Sequence, residues 1–262
     1  MLKTRILSAI VGIGIIFAVI YAGGLFWQAF VLLLALLAFY EYSQMMRHKN
    51  YIPPIIPGYL LLIFWLFSHQ TGEWFYPDLF LLVVITAIVA VFKYPKLRVI
   101  NVALSFFGAF YLGFLFSFAI RMGDLENGSL AVLLALLLTW ASDTGGYFGG
   151  RFFGKHKMAP LLSPNKTWEG AIGSILLSGI TAVLFFILTA MEIKFWAYVI
   201  LLGILASIMA QFGDLFISGI KRYFEVKDTG KIIPGHGGIL DRFDSFLLVV
   251  PLVFYYWFLF IN

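Results

Sequence analysis

Nine apolar runs, near residues 6–22, 25–44, 55–68, 79–92, 99–120, 130–147, 170–189, 195–211 and 246–261, occupy most of this 262-residue chain. A soluble domain has no place for them: 62% of the residues are hydrophobic and 12% charged, where roughly half apolar is usual. The runs predict an all-α polytopic membrane bundle of about nine transmembrane helices, because only a helix satisfies its own backbone in lipid. Several runs fall short of the roughly 20 residues of a perpendicular span, and the third and fourth have the least sharply marked ends. The first run, Ile6 to Tyr21, follows Lys3 and Arg5 as a signal peptide would. Leu25 opens another apolar run at once, so the first reads as a retained span. The expectation is one integral membrane domain over 1–262, with motif loops near 148–169 and 212–245.

The charged residues orient the bundle. Lys3, Arg5, Arg47, Lys49, Lys93, Lys96, Arg98, Arg151, Lys155, Lys157, Lys166, Lys221, Arg222, Lys227, Lys231 and Arg242 fall on one side of a nine-span chain, which is 16 of its 18 basic residues. The other side has Arg121 and Lys194 among Glu73, Asp78, Asp124, Glu126 and Glu192. The positive-inside rule then puts the amino terminus in the cytoplasm, the carboxyl terminus outside and the polar motifs on the cytoplasmic face. The cations alternate with membrane spans and form no continuous polar surface, which speaks against nucleic acid. With no cysteine in the chain, thiolate sites and disulfides are excluded, and any metal must take oxygen or His ligands. His48, His69 and His156 have no partner at ligand spacing and read as interfacial or solvated. Between the second and third runs, Arg47, His48 and Lys49 beside Met45, Met46 and Tyr51 suit either anionic lipid headgroups or a plain solvated turn. Pro53, Pro54 and Pro57 stop and restart helix there.

Against this background, Ser218 to Asp244 is densely polar: SGIKRYFEVKDTGKIIPGHGGILDRFD. If a helix starts near Asp214, that residue, Ser218 and Lys221 share a face, with Arg222 beside them. Gly235, Gly237 and Gly238 flank His236 in a loop whose bare amides can approach an anion. Asp241 and Asp244, three apart at the mouth of the last run, share a face suited to a divalent cation that phosphates complete. Asp143, near the end of the sixth run in SDTGGYFGG, is an acid where acids are expensive, and so a functional candidate. Glycines 145, 146, 149 and 150 beside it either pack helices closely or unwind the span. Ser163 and Pro164, in SPNKTWEG, read as a helix start aimed at an anion. Lys166-Thr167 lacks the preceding glycines of a P-loop, and Ser163 with Lys166 lacks the other motifs of a serine acylase.

The run S-x-I-K-R-x4-K-D-x-G-x2-I-P-x-H-G-G-I-x-D-R-F-D, over 27 consecutive positions, resembles the signature of phosphatidate cytidylyltransferases, the CDP-diacylglycerol synthases. The S-P-x-K-T-x-E-G stretch and the S-D-x-x-G-Y run around Asp143 are similar to theirs too, with Asn165 where that family carries Lys as often. The resemblance implies a membrane enzyme that condenses CTP with phosphatidate, releasing pyrophosphate, with Mg2+ alone or with a second cation. It also implies a homodimer, set in a bacterial cytoplasmic membrane among membrane lipids. On this reading Asp143, Asp214, Asp241 and Asp244 form the metal group. Lys166, Lys221, Arg222 and Lys227 hold phosphates, and Asp228 and His236 orient neighbours or stabilise the leaving pyrophosphate. Ser163, Asn165, Thr167, Ser218, Gly235, Gly237, Gly238 and Arg242 bind substrate. Phosphatidate brings an ionised nucleophile, so positioning and charge neutralisation suffice. Two other readings stay open: a CTP-dependent lipid kinase of the polyprenol or phytol type, which would release CDP, and an ion-coupled transporter using Asp143 and Asp214.

Overall fold

In a computed structural model, residues 2–191, 193, 195–235 and 237–261 are described, the side chains of residues 2–5 excepted. Lys3 and Arg5 as side chains, and Glu192, Lys194 and His236 as residues, lie outside that description. Among the described residues are nine α-helices: α1 (Leu2–Ala22), α2 (Gly24–His48), α3 (Ile55–Phe67), α4 (Phe75–Phe92), α5 (Val99–Gly123), α6 (Gly128–Phe153), α7 (Trp168–Thr189), α8 (Trp196–Tyr223) and α9 (Leu240–Phe260). The nine apolar runs became nine helices. Seven helical stretches are long and apolar enough to cross a membrane, among them Gly72–Phe92, where two one-turn 3-10 segments lead into α4. Ile6–Ala22 and Ile55–Gln70 are shorter, so the third run remains short while the fourth reaches full span length. The protein is an integral membrane protein with an all-α fold. Large apolar side chains such as Leu7, Phe26, Phe80, Phe92 and Leu188 stand exposed, as they must where lipid is the solvent.

The chain packs as two units. The first comprises Met1–Arg121 and Tyr223–Asp241. Its core joins α2, α3 and α5 through small residues: a Cβ at Gly58 would press on the Phe39 ring and Ser105, and one at Gly108 on the Tyr42 ring. Tyr42 donates from its hydroxyl to Leu104 O at 3.0 Å, and Trp27 Nε1 donates to Ala119 O at 2.7 Å, so the polar ends of both buried aromatics are satisfied. Helix α2 ends at His48 and α3 begins after Pro54, as the proline cluster predicted.

The second unit comprises Met122–Arg222 and Arg242–Asn262. Helices α6 and α7 meet backbone to backbone at the glycines: a Cβ at Gly149 would lie 3.0 Å from Glu169 O, and one at Gly173 would lie 2.6 Å from Gly145 O. Of the two uses foreseen for this glycine run, close packing is the one realised, since α6 continues helical to Phe153. Gly213 of α8 is likewise in close contact with the backbone of Asp244 and Ser245 in α9.

Two expectations need correcting. The polar stretches at 148–153 and 212–223 continue α6 and α8 instead of forming loops. Ser163 and Pro164 do not start a helix: Ser163–Thr167 is strand β2, antiparallel to β1 (Lys157–Ala159), with Lys157 opposite Thr167 and Ala159 opposite Ser163. The fixed φ of Pro164 suits an edge strand as well as a first helical turn, so it did not discriminate. The N-cap of α7 is Thr167, extended at φ −128° and ψ 155°, whose hydroxyl accepts from Gly170 N at 3.2 Å.

Candidate active site

In the second unit the folded chain gathers motif residues from four places in the sequence. Lys166 leaves the end of β2 and pairs with Asp214 of α8, Nζ to Oδ2 at 2.7 Å. The two side chains are 22% and 32% exposed, so the pair is shielded yet reachable. Ser218, one turn along α8, donates to Asp214 Oδ1 at 3.3 Å, which realises the predicted shared face. Asp143 of α6 keeps exposed surface and sits in the field of Asp214, Lys166 and Arg242. Asp244, in the first turns of α9, is 8% exposed and lies in the field of Asp214, Asp143 and Lys221. Three carboxylates thus share one neighbourhood with Lys166, Lys221 and Arg242.

A layer of neutral polar groups steadies this cluster. Gln211, one turn before the pair, donates to Ser207 Oγ at 3.2 Å and to Ala171 O at 3.5 Å. Ser207 and Ser142 share a hydrogen bond at 3.1 Å, and Ser174 donates to Ser142 O at 2.7 Å. Each link fixes α6, α7 and α8 at the level of Asp143 and Asp214. Arg222 donates from Nε to Leu162 O at 3.3 Å, tying the end of α8 to the hairpin turn. Glu169 braces the hairpin from its other side, accepting from the backbone N–H of Lys155 at 3.1 Å and pairing with His156 Nδ1 at 2.6 Å. None of Gln211, Glu169, Ser142, Ser174 and Ser207 was singled out from sequence, although Ser142 and Glu169 lie within quoted motifs and Gln211 lies beside one. Ser163 is half-buried, Asn165 exposed and Thr167 buried as the α7 cap.

In the first unit the rest of the long motif forms a strapped loop. Gly235 and Gly237 adopt φ of 78° and 90°, and Ile233 N donates back to Gly237 O at 3.0 Å, closing a tight turn. Asp241 Oδ2 accepts from Thr229 N at 2.8 Å and Gly238 N at 3.1 Å, and lies 3.0 Å from Thr229 Oγ1, whose one hydrogen it shares with Glu41. Lys227 and Asp228 are exposed on this segment, and His236 lies outside the described residues. Beneath the loop sits Glu41 of α2, 1% exposed, which was not among the residues expected from sequence. Among the described residues no three Asp, Glu or His side chains stand together as a ready-made ion cage.

The sequence matches known proteins along nearly its whole length. The sequence model of the Cytidylyltransferase family matches residues 3–260. A phosphatidate cytidylyltransferase of Staphylococcus haemolyticus is 37% identical over 258 residues, spanning 96% of this chain and 97% of the relative. Those of Staphylococcus saprophyticus and Staphylococcus aureus are 38% and 37% identical over 260 and 261 residues, with the same coverage. The clustered aspartates and cations, the strapped glycine loop and this end-to-end similarity lead to one conclusion: the chain belongs to the cytidylyltransferase family.

Proposed function

We propose that the protein transfers a cytidylyl group from CTP to phosphatidate, giving CDP-diacylglycerol and pyrophosphate in phospholipid biosynthesis. A phosphatidate phosphate oxygen attacks the α-phosphorus of CTP, and the bond to the bridging α–β oxygen breaks. Pyrophosphate carries away the electron pair. The observation that carries this reading is the convergence of Asp143, Lys166, Asp214 and Asp244, with Lys221 and Arg242 in their field, in one unit of an integral membrane protein. Two polyanions must meet in line, and the attacking oxygen is already ionised. The work left to the protein is placement and neutralisation.

Lys166 is the phosphate contact. Its ammonium pairs with Asp214, which orients it for a substrate phosphate. Asp143, Asp214 and Asp244 would hold Mg2+; the donor set is oxygen only, which suits a hard cation. Mg2+ commonly takes one or two carboxylates with substrate phosphates completing the shell, so a preformed cage of three ligands is not required. When bound, the cation would neutralise the triphosphate. In the second unit Lys221, Arg222 and Arg242 supply further positive charge; on the family resemblance, Lys227, Gly235, Gly237 and Gly238 of the first unit bind the triphosphate, and Asp228 and His236 serve the leaving pyrophosphate. Asp241, expected from sequence in the metal group, is assigned to the loop instead, because its Oδ2 accepts from the backbone amides of Thr229 and Gly238.

The reaction is placed at the cytoplasmic face of a bacterial cell membrane, with the amino terminus inside and two copies associated, on the strength of the basic-residue distribution and the family resemblance. The test is incubation of the purified protein with phosphatidate, Mg2+ and CTP labelled at the α-phosphate. Label in lipid with release of pyrophosphate is expected. Release of CDP, with label left in soluble nucleotide, would make it a kinase instead.

A further inference from the structure

The segment Tyr223–Asp241 is fastened to α2 at both of its ends. At the first end, Lys49 Nζ donates to Tyr223 O at 2.6 Å, pairs with Glu225 Oε1 at 3.1 Å and stands 4.5 Å from the centre of the Tyr223 ring. Tyr51 and Tyr223 share a hydroxyl hydrogen bond at 2.7 Å, and His48 Nδ1 lies 3.3 Å from Phe224 O. At the second end, two turns back along α2, Glu41 meets three donors. Its Oε1 accepts from Ile239 N at 2.9 Å; its Oε2 accepts from Leu240 N at 2.9 Å and Thr229 Oγ1 at 3.1 Å. Ile239 N and Leu240 N open α9, so Glu41 caps that helix from another part of the chain.

The fit is close enough to dictate neighbouring residues. A Cβ at Gly238 would collide with the Glu41 carboxylate and the Thr229 hydroxyl, and a Cβ at Gly230 with the same carboxylate. These motif glycines therefore answer to Glu41, whatever they also do for a ligand. A carboxylate at 1% exposure is tolerated only because three donors meet it.

We propose that Glu41 is the positioning residue of the glycine loop: it holds residues 229–241 in the shape that receives the triphosphate, without touching substrate. The statement about substrate rests on the cytidylyl-transfer reading; the statement about the loop does not. Glu41→Gln keeps size and shape but turns an NH2 group toward at least one of three donors. The loop then spends part of its time released, and the apparent affinity for a ligand that needs it falls by the competent fraction.

The experiment is amide hydrogen exchange on the full-length protein in lipid nanodiscs, with CTP kinetics on the same samples. In Glu41→Gln, exchange over 229–241 should rise by about tenfold or more, with the amides of α6 and α7 unchanged. The KM for CTP should rise by a similar factor, and kcat at saturating CTP should fall much less. Thr229→Val, which keeps the volume and removes the one hydroxyl hydrogen shared by Glu41 and Asp241, should show the same pattern more weakly, since Ile239 N and Leu240 N still bond Glu41. Exchange over 229–241 at the wild-type rate in both variants overturns the proposal, and so does a rise spread equally over α6 and α7, which would mean general destabilisation. If the wild-type protein puts no label into lipid, the cytidylyl reading fails while the exchange arm still decides the role of Glu41.

Discussion

Carboxylates in apolar surroundings appear in both units, and they are treated in opposite ways. Glu41, in the first unit, meets three neutral donors and is sealed by Gly230 and Gly238 packed against it. Asp143, Asp214 and Asp244, in the second, face one another with Lys166, Lys221 and Arg242 as partners, and the Lys166–Asp214 pair remains accessible. A carboxylate satisfied by backbone amides has nothing left to offer a ligand, and its use is to hold. Carboxylates crowded with like charges keep a demand for positive charge, and their use is to exchange partners. The lesson is that charge count alone does not locate chemistry in a membrane protein; the partners of each charge do.

That contrast breaks first at Lys166. Lys166→Ala should lower kcat/KM by about a hundredfold, as losing a charge-assisted phosphate contact of about 2–3 kcal/mol requires. A wild-type kcat/KM for both CTP and phosphatidate would reduce the pair with Asp214 to a structural ion pair. The next effect is on folding and concerns glycine. Gly213→Ala pushes a Cβ into the Asp244 backbone and should destabilise the protein by about 1–3 kcal/mol, read as a lower melting temperature in nanodiscs. Gly179→Ala, where a Cβ meets open space, should be neutral or stabilising by up to about 1 kcal/mol. Equal behaviour of the two variants would mean that the α8–α9 approach at Gly213 does not matter. The smallest effect is expected at Glu169→Gln. It anchors the hairpin through exposed groups, so specific activity should change by less than about threefold. A larger loss would move Glu169 into the site.

Much of this was readable in the chain, for physical reasons that also explain the rest. Apolar runs report helices in lipid because no other local structure satisfies the backbone there, and all nine runs are helical. Their ends were misjudged where polar motifs continue α6 and α8, since hydropathy marks lipid contact and not helix length. The start of α7 was misplaced because Pro164 fits a strand edge as readily as a first turn. The Asp214, Ser218 and Lys221 face was legible because helical periodicity is local. Glu41 was not, as its partners lie some 190 residues away. One signal was still present: Glu41 is an acid inside an apolar run, and the reasoning that singled out Asp143 applies to it equally.

The central claim is that one group of carboxylates serves a cation and the other serves the fold. It is tested most directly by specific activity per folded protein across an Mg2+ titration, for the wild type, Asp244→Asn and Glu41→Gln. Asp244→Asn should fold and insert normally yet lose most of its Mg2+-dependent turnover, because an amide is a poor ligand for a hard cation. Glu41→Gln should keep the wild-type Mg2+ midpoint and be rescued by high CTP. Wild-type rate and metal dependence in Asp244→Asn, or a shifted Mg2+ midpoint in Glu41→Gln, would contradict the account.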